Sequence, residues 1–161
     1  MSRRSLVRRL GYIRTMGLRN RLVDLGFQAL NGVHRTIWRV SGQRIGARAF
    51  GMSAVELRVP GRHSGIVHST MLTVPVEFEG SLVLVASKGG DNRDPDWYRN
   101  LLATPMIEII KGGESLHMRA RVATSEERSR LWPQVVAAYR PYESYQRRSQ
   151  RVIPLVICEM A

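Results

Sequence analysis

Beyond residue 49, glycine-bearing turn signals recur so closely that the chain has room only for short strands and short helices between them. Pro60-Gly61, Glu79-Gly80, Gly89-Gly90 and Gly112-Gly113 each supply the backbone freedom a reversal needs. Between and beyond them, Ala54 to Val59, Ser69 to Val76 and Leu82 to Ser87 are rich in Val, Leu and Thr, and they read as strands. Met106 to Ile110 and Ser115 to Val122 flank Gly112-Gly113 as a hairpin, and Val152 to Cys158 reads as a closing strand. Asp94-Pro95 opens a short helix carrying Trp97, Tyr98 and Leu101, with the aspartate as cap, the proline in the first turn and the two aromatic rings as packing anchors. Thr124 and Glu127 form a capping box ahead of a helix through Ala138. This is an α+β layout whose strand count suits a small barrel.

The first third is different. A chain of 161 residues makes one structural domain, yet residues 1–48 hold 11 arginines against the single acid Asp24, while the remaining 14 basic and 12 acidic residues nearly balance. We therefore divide the chain into a basic N-terminal helical segment, 1–48, and a barrel domain, 49–161. Leu6, Leu10 and Ile13 recur at helical spacing among Arg3, Arg4, Arg8, Arg9 and Arg14, so residues 1–18 suit the surface of an anionic membrane; a frayed basic tail is the other reading. A second helix is expected over Arg21 to Val40, ending near Ser41-Gly42.

Of the 25 basic residues 23 are arginine, which favours bidentate contact with phosphate or carboxylate. Nucleic acid, anionic lipid and a phosphorylated cofactor are the candidate partners. Nucleic acid ranks last, because aromatic residues are few and no recognition motif is present. The longest run without a charged residue, His63 to Val76, is 14 residues, too short to span a bilayer. The lone Cys158 reads as a small buried hydrophobe compatible with a reducing cytosol. His34, His63, His68 and His117 lack the spacing of metal ligands, and no metal site is expected.

Two turns carry polar chemistry. Gly61-Arg62-His63-Ser64-Gly65 brackets a guanidinium, an imidazole and a hydroxyl between glycines, the makings of an anion cradle. Ala86-Ser87-Lys88-Gly89-Gly90 repeats the idea with one of only two lysines and glycines that permit close backbone approach. The two turns could converge on one phosphorylated ligand.

With Pro95, Trp97-Tyr98, Asn100-Leu101 and Thr104-Pro105 beyond it, the second turn resembles the deazaflavin-dependent nitroreductase family of actinobacteria. The likeness continues through Gly61-Arg62-x-Ser64-Gly65, Ala120-Arg121, Glu126-Glu127-Arg128, Leu131-Trp132, Tyr139-x-x-Tyr142-x-x-Tyr145-Gln146 and Arg151-x-Ile153-Pro154, covering about Thr36 to Glu159. It implies a split β-barrel, FMN-binding-like, with N-terminal and peripheral helices. It also implies an enzyme that binds coenzyme F420 and moves a hydride between its C5 and a quinone-like or nitro-aromatic acceptor. Phosphate or tail contacts fall to Arg62, His63 and Lys88, and close approach to Ser87, Gly89 and Gly90. Ser64, His68 and Ala86 belong to the same cofactor-binding loops. The catalytic set is Ser87, beside the reacting ring or the acceptor, with Tyr139, Tyr142 and Tyr145 covering the acceptor side. Quinone is the expected acceptor, and the expected location is the cytoplasm or the inner face of the cell membrane.

Against the family pattern, His63 replaces a lysine, His68 an arginine, Thr70-Met71 a Thr-Pro pair, and Thr73 a tyrosine found in some members. Exchanging permanent cations for imidazoles weakens anion binding, at ~1.5–3 kcal/mol for each charge-assisted bond lost. The competing reading is a degenerate barrel that binds a lipid, or serves as a membrane-associated module, without deazaflavin chemistry.

Overall fold

The computed structural model describes residues 48–161. The readings made above for residues 1–47 lie outside them. Eight strands form one antiparallel sheet: β1 (Arg48–Ala49), β2 (Met52–Pro60), β3 (Val67–Val74), β4 (Val76–Phe78), β5 (Ser81–Val85), β6 (Met106–Lys111), β7 (Glu114–Val122) and β8 (Leu155–Met160). Helix α1 (Asp96–Ala103) follows β5, and α2 (Ser125–Ala138) and α3 (Pro141–Arg148) lie between β7 and β8.

The run expected as one strand over Ser69 to Val76 is broken by Pro75, which separates β3 from β4. Proline has no N–H for the ladder, and the chain changes partner there: β3 pairs with β2, and β4 with β5. The strand order β3-β2-β6-β7-β8-β5-β4 thus begins and ends on the same bent stretch of chain, so the sheet curls into a split barrel.

β5 from Leu82 to Val85 and β8 from Leu155 to Cys158 are apolar and buried because both of their faces are covered there. Leu82, Leu84, Val156 and Cys158 point into the barrel with Val55, Leu57, Ile109 and Met118. Val83, Val85, Leu155 and Ile157 face outward into a second core with Leu131, Val135, Tyr142 and Ile153. Trp97, Tyr98 and Leu101 of α1 pack into the first core, as expected of anchors. Burial pushes the Cys158 thiol up to about 12, so it is an inert core residue. Met71, the departure from the Thr-Pro pattern, packs with Ala54 and Ile110.

Two local expectations are corrected. Asp94 does not cap α1: Pro95 occupies the N-cap with no side-chain bond, and Asp94 instead forms an ion pair with Arg151 at 2.9 Å. The last strand starts at Leu155, not Val152, because Pro154 has no ladder donor and the residues before it serve the site described below.

The capping box is present. Thr124 Oγ1 accepts from the Glu127 amide at 3.2 Å, and Glu127 Oε2 accepts from the Thr124 amide at 2.8 Å. Arg121 donates twice to Glu127, both bonds at 2.8 Å, and it holds that carboxyl down at about 2, against an ordinary 4.5. A carboxyl depressed on folding stabilises the fold above its unfolded value, and this contribution fades as pH falls through its folded value. Glu127→Gln, which keeps an acceptor for the box, is expected to lower Tm by ~2–4 °C at pH 7. The difference from the parent closes towards pH 2; melts at both pH values test this, and a constant difference would exclude the ion pair as its source.

Candidate functional site

β5 ends at Val85, and the Ala86 amide donates to the Pro154 carbonyl at 3.0 Å. Ser87 is therefore not a strand residue, as the sequence had suggested, but the N-cap of a single tight turn, Lys88–Gly90. Its backbone is right-handed (φ −76°, ψ −36°), whereas Lys88, Gly89 and Gly90 have φ of 45°, 62° and 83°. A right-handed residue followed by a left-handed one is the backbone pattern of an anion-binding nest, although the Ser87 amide here donates to Val85 O and the Gly90 amide to Ser87 O, both at 2.9 Å. Lys88, a non-glycine held at positive φ, stores local strain of the kind found at functional sites. Gly90 is required twice over, by its φ and by its neighbour: a Cβ there would meet the Tyr145 carbonyl oxygen at 2.9 Å and the Tyr145 Cα at 3.0 Å.

Beyond this turn, Asp91 accepts from the Arg93 amide and guanidinium at 2.8, 3.1 and 2.7 Å. Those bonds hold the Asp91 carboxyl down at about 2, so it is ionised at any working pH.

The turn at Gly61–Gly65 joins β2 to β3. The Gly61 amide donates to Ile66 O and the Gly65 amide to Gly61 O, both at 2.8 Å. A Cβ on Gly61 would lie 2.8 Å from both His68 Nε2 and Ser64 Oγ, so the absent side chain lets the imidazole and the hydroxyl gather over the turn. Ser64 Oγ accepts from the Ile66 amide at 3.3 Å, and His63 and His68 are exposed. Arg62 points to α1. Its Nη1 donates to Asn100 Oδ1 at 3.0 Å, its amide donates to the same oxygen at 3.3 Å, and its guanidinium reaches Asp96 at 3.4 Å. Asn100 is buried, and sequence reading gave it no role. Its amide side chain fastens this turn to the helix that follows the Lys88–Gly90 turn.

The three tyrosines come together, although not from one helix. Tyr139 is the C-cap of α2, while Tyr142 and Tyr145 lie on α3, whose first position is Pro141, a residue pre-set for a helix start. Ring centroids are 5.2 Å apart for Tyr139 and Tyr142, 6.0 Å for Tyr142 and Tyr145, and 6.4 Å for Tyr139 and Tyr145, all edge-on. Phe50 extends the cluster, with its ring 5.1 Å from Tyr139, and borders a cavity of about 260 Å³ with Met52, Ser53, Val74, Pro75 and Ala138. The Tyr142 hydroxyl lies 3.3 Å from Thr73 Oγ1, so the threonine that departs from the family pattern meets the tyrosine wall. Burial raises the Tyr142 phenol above its ordinary value. A hydrogen bond with Tyr145, followed by burial, raises Tyr139. Both phenols are therefore neutral at working pH.

Gly90 packs against the backbone of Tyr145, so the turn and the helix that carries two of the tyrosines are neighbours. Such an arrangement can offer backbone amides to an anion close to a cluster of aromatic side chains. No cluster of three His, Cys, Asp or Glu side chains able to hold a metal is found among the described residues.

The split barrel is a fold this chain shares with an oxidoreductase, an F420-H2 dependent reductase. The chain belongs to the F420H(2)-dependent quinone reductase family, whose family model matches residues 32–160. It is 36% identical over 138 residues to the F420H(2)-dependent quinone reductase Rv1261c of Mycobacterium tuberculosis, a match spanning 83% of this chain and 91% of that protein. Against Rv3178 of the same organism it is 43% identical over 77 residues, 48% of this chain but only 65% of that one. Among solved structures, an F420-H2 dependent reductase superposes with a TM-score of 0.60 at 38% identity, covering 66% of this chain and 93% of the other. A chain described as a domain-swapped dimer gives 0.62 at 34% identity, covering 80% and 97%. The family's cofactor is F420, and its membership displaces the lipid-binding alternative. No helix among the described residues is long and apolar enough to cross a membrane.

Proposed function

We propose that this chain reduces a quinone with a hydride from F420H2, holding the cofactor's phosphate and acidic tail on the nest at Ser87–Gly90 and on the Gly61–His68 turn. The observation that supports this reading is the close packing of Gly90 on the backbone of Tyr145, which makes the turn a neighbour of the helix bearing Tyr142 and Tyr145. Bound F420H2 supplies the hydride, from its C5. Lys88 supplies positive charge to cofactor anions, Arg62 shares its guanidinium between Asn100, Asp96 and the cofactor tail, and His63, His68, Ser64 and Ala86 complete the two turns. Gly89 and Gly90 let the backbone approach, and Ser87 orients the acceptor or the reacting ring. Tyr139, Tyr142 and Tyr145 wall the acceptor slot and keep water out. Hydride transfer needs no proton-relay triad, so most of the rate comes from positioning in a dry slot.

Nitro-aromatic reduction belongs to the same reading as a weaker activity, because Thr73 is small where some members carry a tyrosine. The acceptor also bears on location: quinones reside in membranes, and residues 1–18 would bring the slot to an anionic leaflet. Titration with oxidised F420 and with FMN, followed by turnover of menadione in free solution and with anionic vesicles, tests these points together. We expect F420 to be bound in preference to FMN, menadione to be reduced with F420H2, and deletion of residues 1–18 to release the protein from vesicles while soluble turnover persists. Equal binding of FMN would sink the cofactor assignment, absence of menadione turnover the acceptor assignment, and unchanged vesicle binding after truncation the membrane role.

A further inference from the structure

Arg151 stands outside both polar turns, in the irregular segment between α3 and β8. Its guanidinium nevertheless spends its hydrogen bonds on the cofactor turn. Nη2 donates to Ala86 O at 2.7 Å and to Ser87 O at 3.3 Å, Nε donates to Asp91 O at 3.1 Å, and Nη1 pairs with Asp94 at 2.9 Å. These acceptors lie on both sides of Lys88–Gly90, so one planar group grips the turn at its entry and at its exit. Arg151 is itself held by α3: Gln146 Nε2 donates to its carbonyl at 2.9 Å. From the same helix Arg148 donates to Gly89 O at 2.8 Å.

We propose that Arg151 is a positioning residue for F420, acting through the Ser87–Gly90 turn it clamps; the inference rests on the reading that this turn binds the cofactor. A turn with three successive residues at positive φ lies in conformations that L side chains seldom occupy, and its own bonds are few: the Ser87 amide to Val85 O and the Gly90 amide to Ser87 O, both at 2.9 Å, and the Asp91 amide to Lys88 O at 3.2 Å. External bonds must over-determine such a shape. In a trans peptide the carbonyl and the next N–H point in opposite directions. The Ser87 carbonyl, which accepts from the Gly90 amide at 2.9 Å and from Arg151 at 3.3 Å, is thereby held on one face and turns the Lys88 amide to the other, the orientation a nest needs. Only arginine has the donors for this: its rigid fork offers five, whereas lysine presents one compact ammonium. Lysine at 151 can keep the Asp94 ion pair or a carbonyl, but it cannot span the turn.

The full chain carrying Arg151→Ala or Arg151→Lys is to be compared with the unaltered protein by F420 titration, by KM for F420H2 and for menadione, and by melting temperature. Arg121→Ala serves as the control, because Arg121 is also an ion-paired arginine, bridging Glu127 and Glu159 at 2.8 Å, but remote from the turn in its contacts. We expect Arg151→Ala to weaken F420 binding ~100-fold and Arg151→Lys ~10-fold. KM for F420H2 should rise with it while KM for menadione, at saturating cofactor, stays within about twofold. Arg121→Ala is expected to lower Tm and leave F420 affinity unchanged. If Arg151→Ala fails to fold, Arg151→Lys decides. The proposal is overturned if the variants bind F420 as the parent does, if both KM values rise together, or if Arg121→Ala weakens F420 equally. Failure of the unaltered protein to bind F420 would instead strike the underlying reading and take the proposal with it.

Discussion

Gly90→Ala is expected to lower F420 affinity at least ~100-fold, the largest effect of any single methyl group in the site. The added carbon would face backbone atoms of Tyr145 at 2.9 and 3.0 Å, and a helix backbone cannot swing aside as a side chain can. The turn must therefore move, or α3 must. On the proposed binding mode, either shift would displace the turn and break more than one charge-assisted bond to the cofactor, each worth ~1.5–3 kcal/mol; two such losses give the stated factor. Backbone strain at φ +83° adds ~1–3 kcal/mol to the folding cost. Gly112→Ala separates the two effects, since Gly112 has φ +59° and nothing within 4 Å of its ideal Cβ. It is expected to lose stability from strain alone and keep full F420 affinity. Fluorescence titration with melting curves on both variants reads this out, and equal cofactor binding by Gly90→Ala and the parent would remove Gly90 from the site.

The elements most open to sequence reading were those whose cause is local. Gly112-Gly113 closes the β6–β7 hairpin because both residues hold positive φ, and Thr124 with Glu127 starts α2 because a capping box is complete within four residues. What sequence reading missed depends on partners far along the chain. Pro75 marked no strand break until the change of partner from β2 to β5 gave it a reason. Asp94 has the residue type of a cap and was read as one, but an arginine 57 positions later claims it. Tyr139, Tyr142 and Tyr145 have helical spacing, yet the cluster forms across a helix junction and depends on Phe50 as well. Arg151 and Asn100 were visible only as letters in a family-like pattern. Nothing in their neighbourhoods announces which carbonyl or guanidinium each will meet, and these two fasten the polar turns in place.

Tyr142→Ala is the second large effect expected, and it falls on stability and turnover together. This side chain is 6% exposed, its ring meets both Tyr139 and Tyr145, and its hydroxyl touches Thr73, so it is the piece that joins the wall to the barrel. Removing a buried aromatic ring costs ~3–5 kcal/mol, which lowers Tm by ~10 °C in a domain of this size. If the tyrosines wall the acceptor slot as proposed, the vacated space would admit water there, and menadione turnover is expected to fall more steeply than F420 affinity. Tyr142→Phe tests what the ring itself does. It keeps the edge contacts and loses only the hydroxyl bond to Thr73, a change of about 1 kcal/mol, so turnover is expected to stay within about threefold of the parent. Burial already keeps this phenol neutral, and the pH profile of turnover should be the same for Tyr142→Phe and the parent from pH 6 to 9. A collapse of turnover in Tyr142→Phe at unchanged Tm would make the hydroxyl a chemical participant, and the wall would then supply a proton as well as a dry surface.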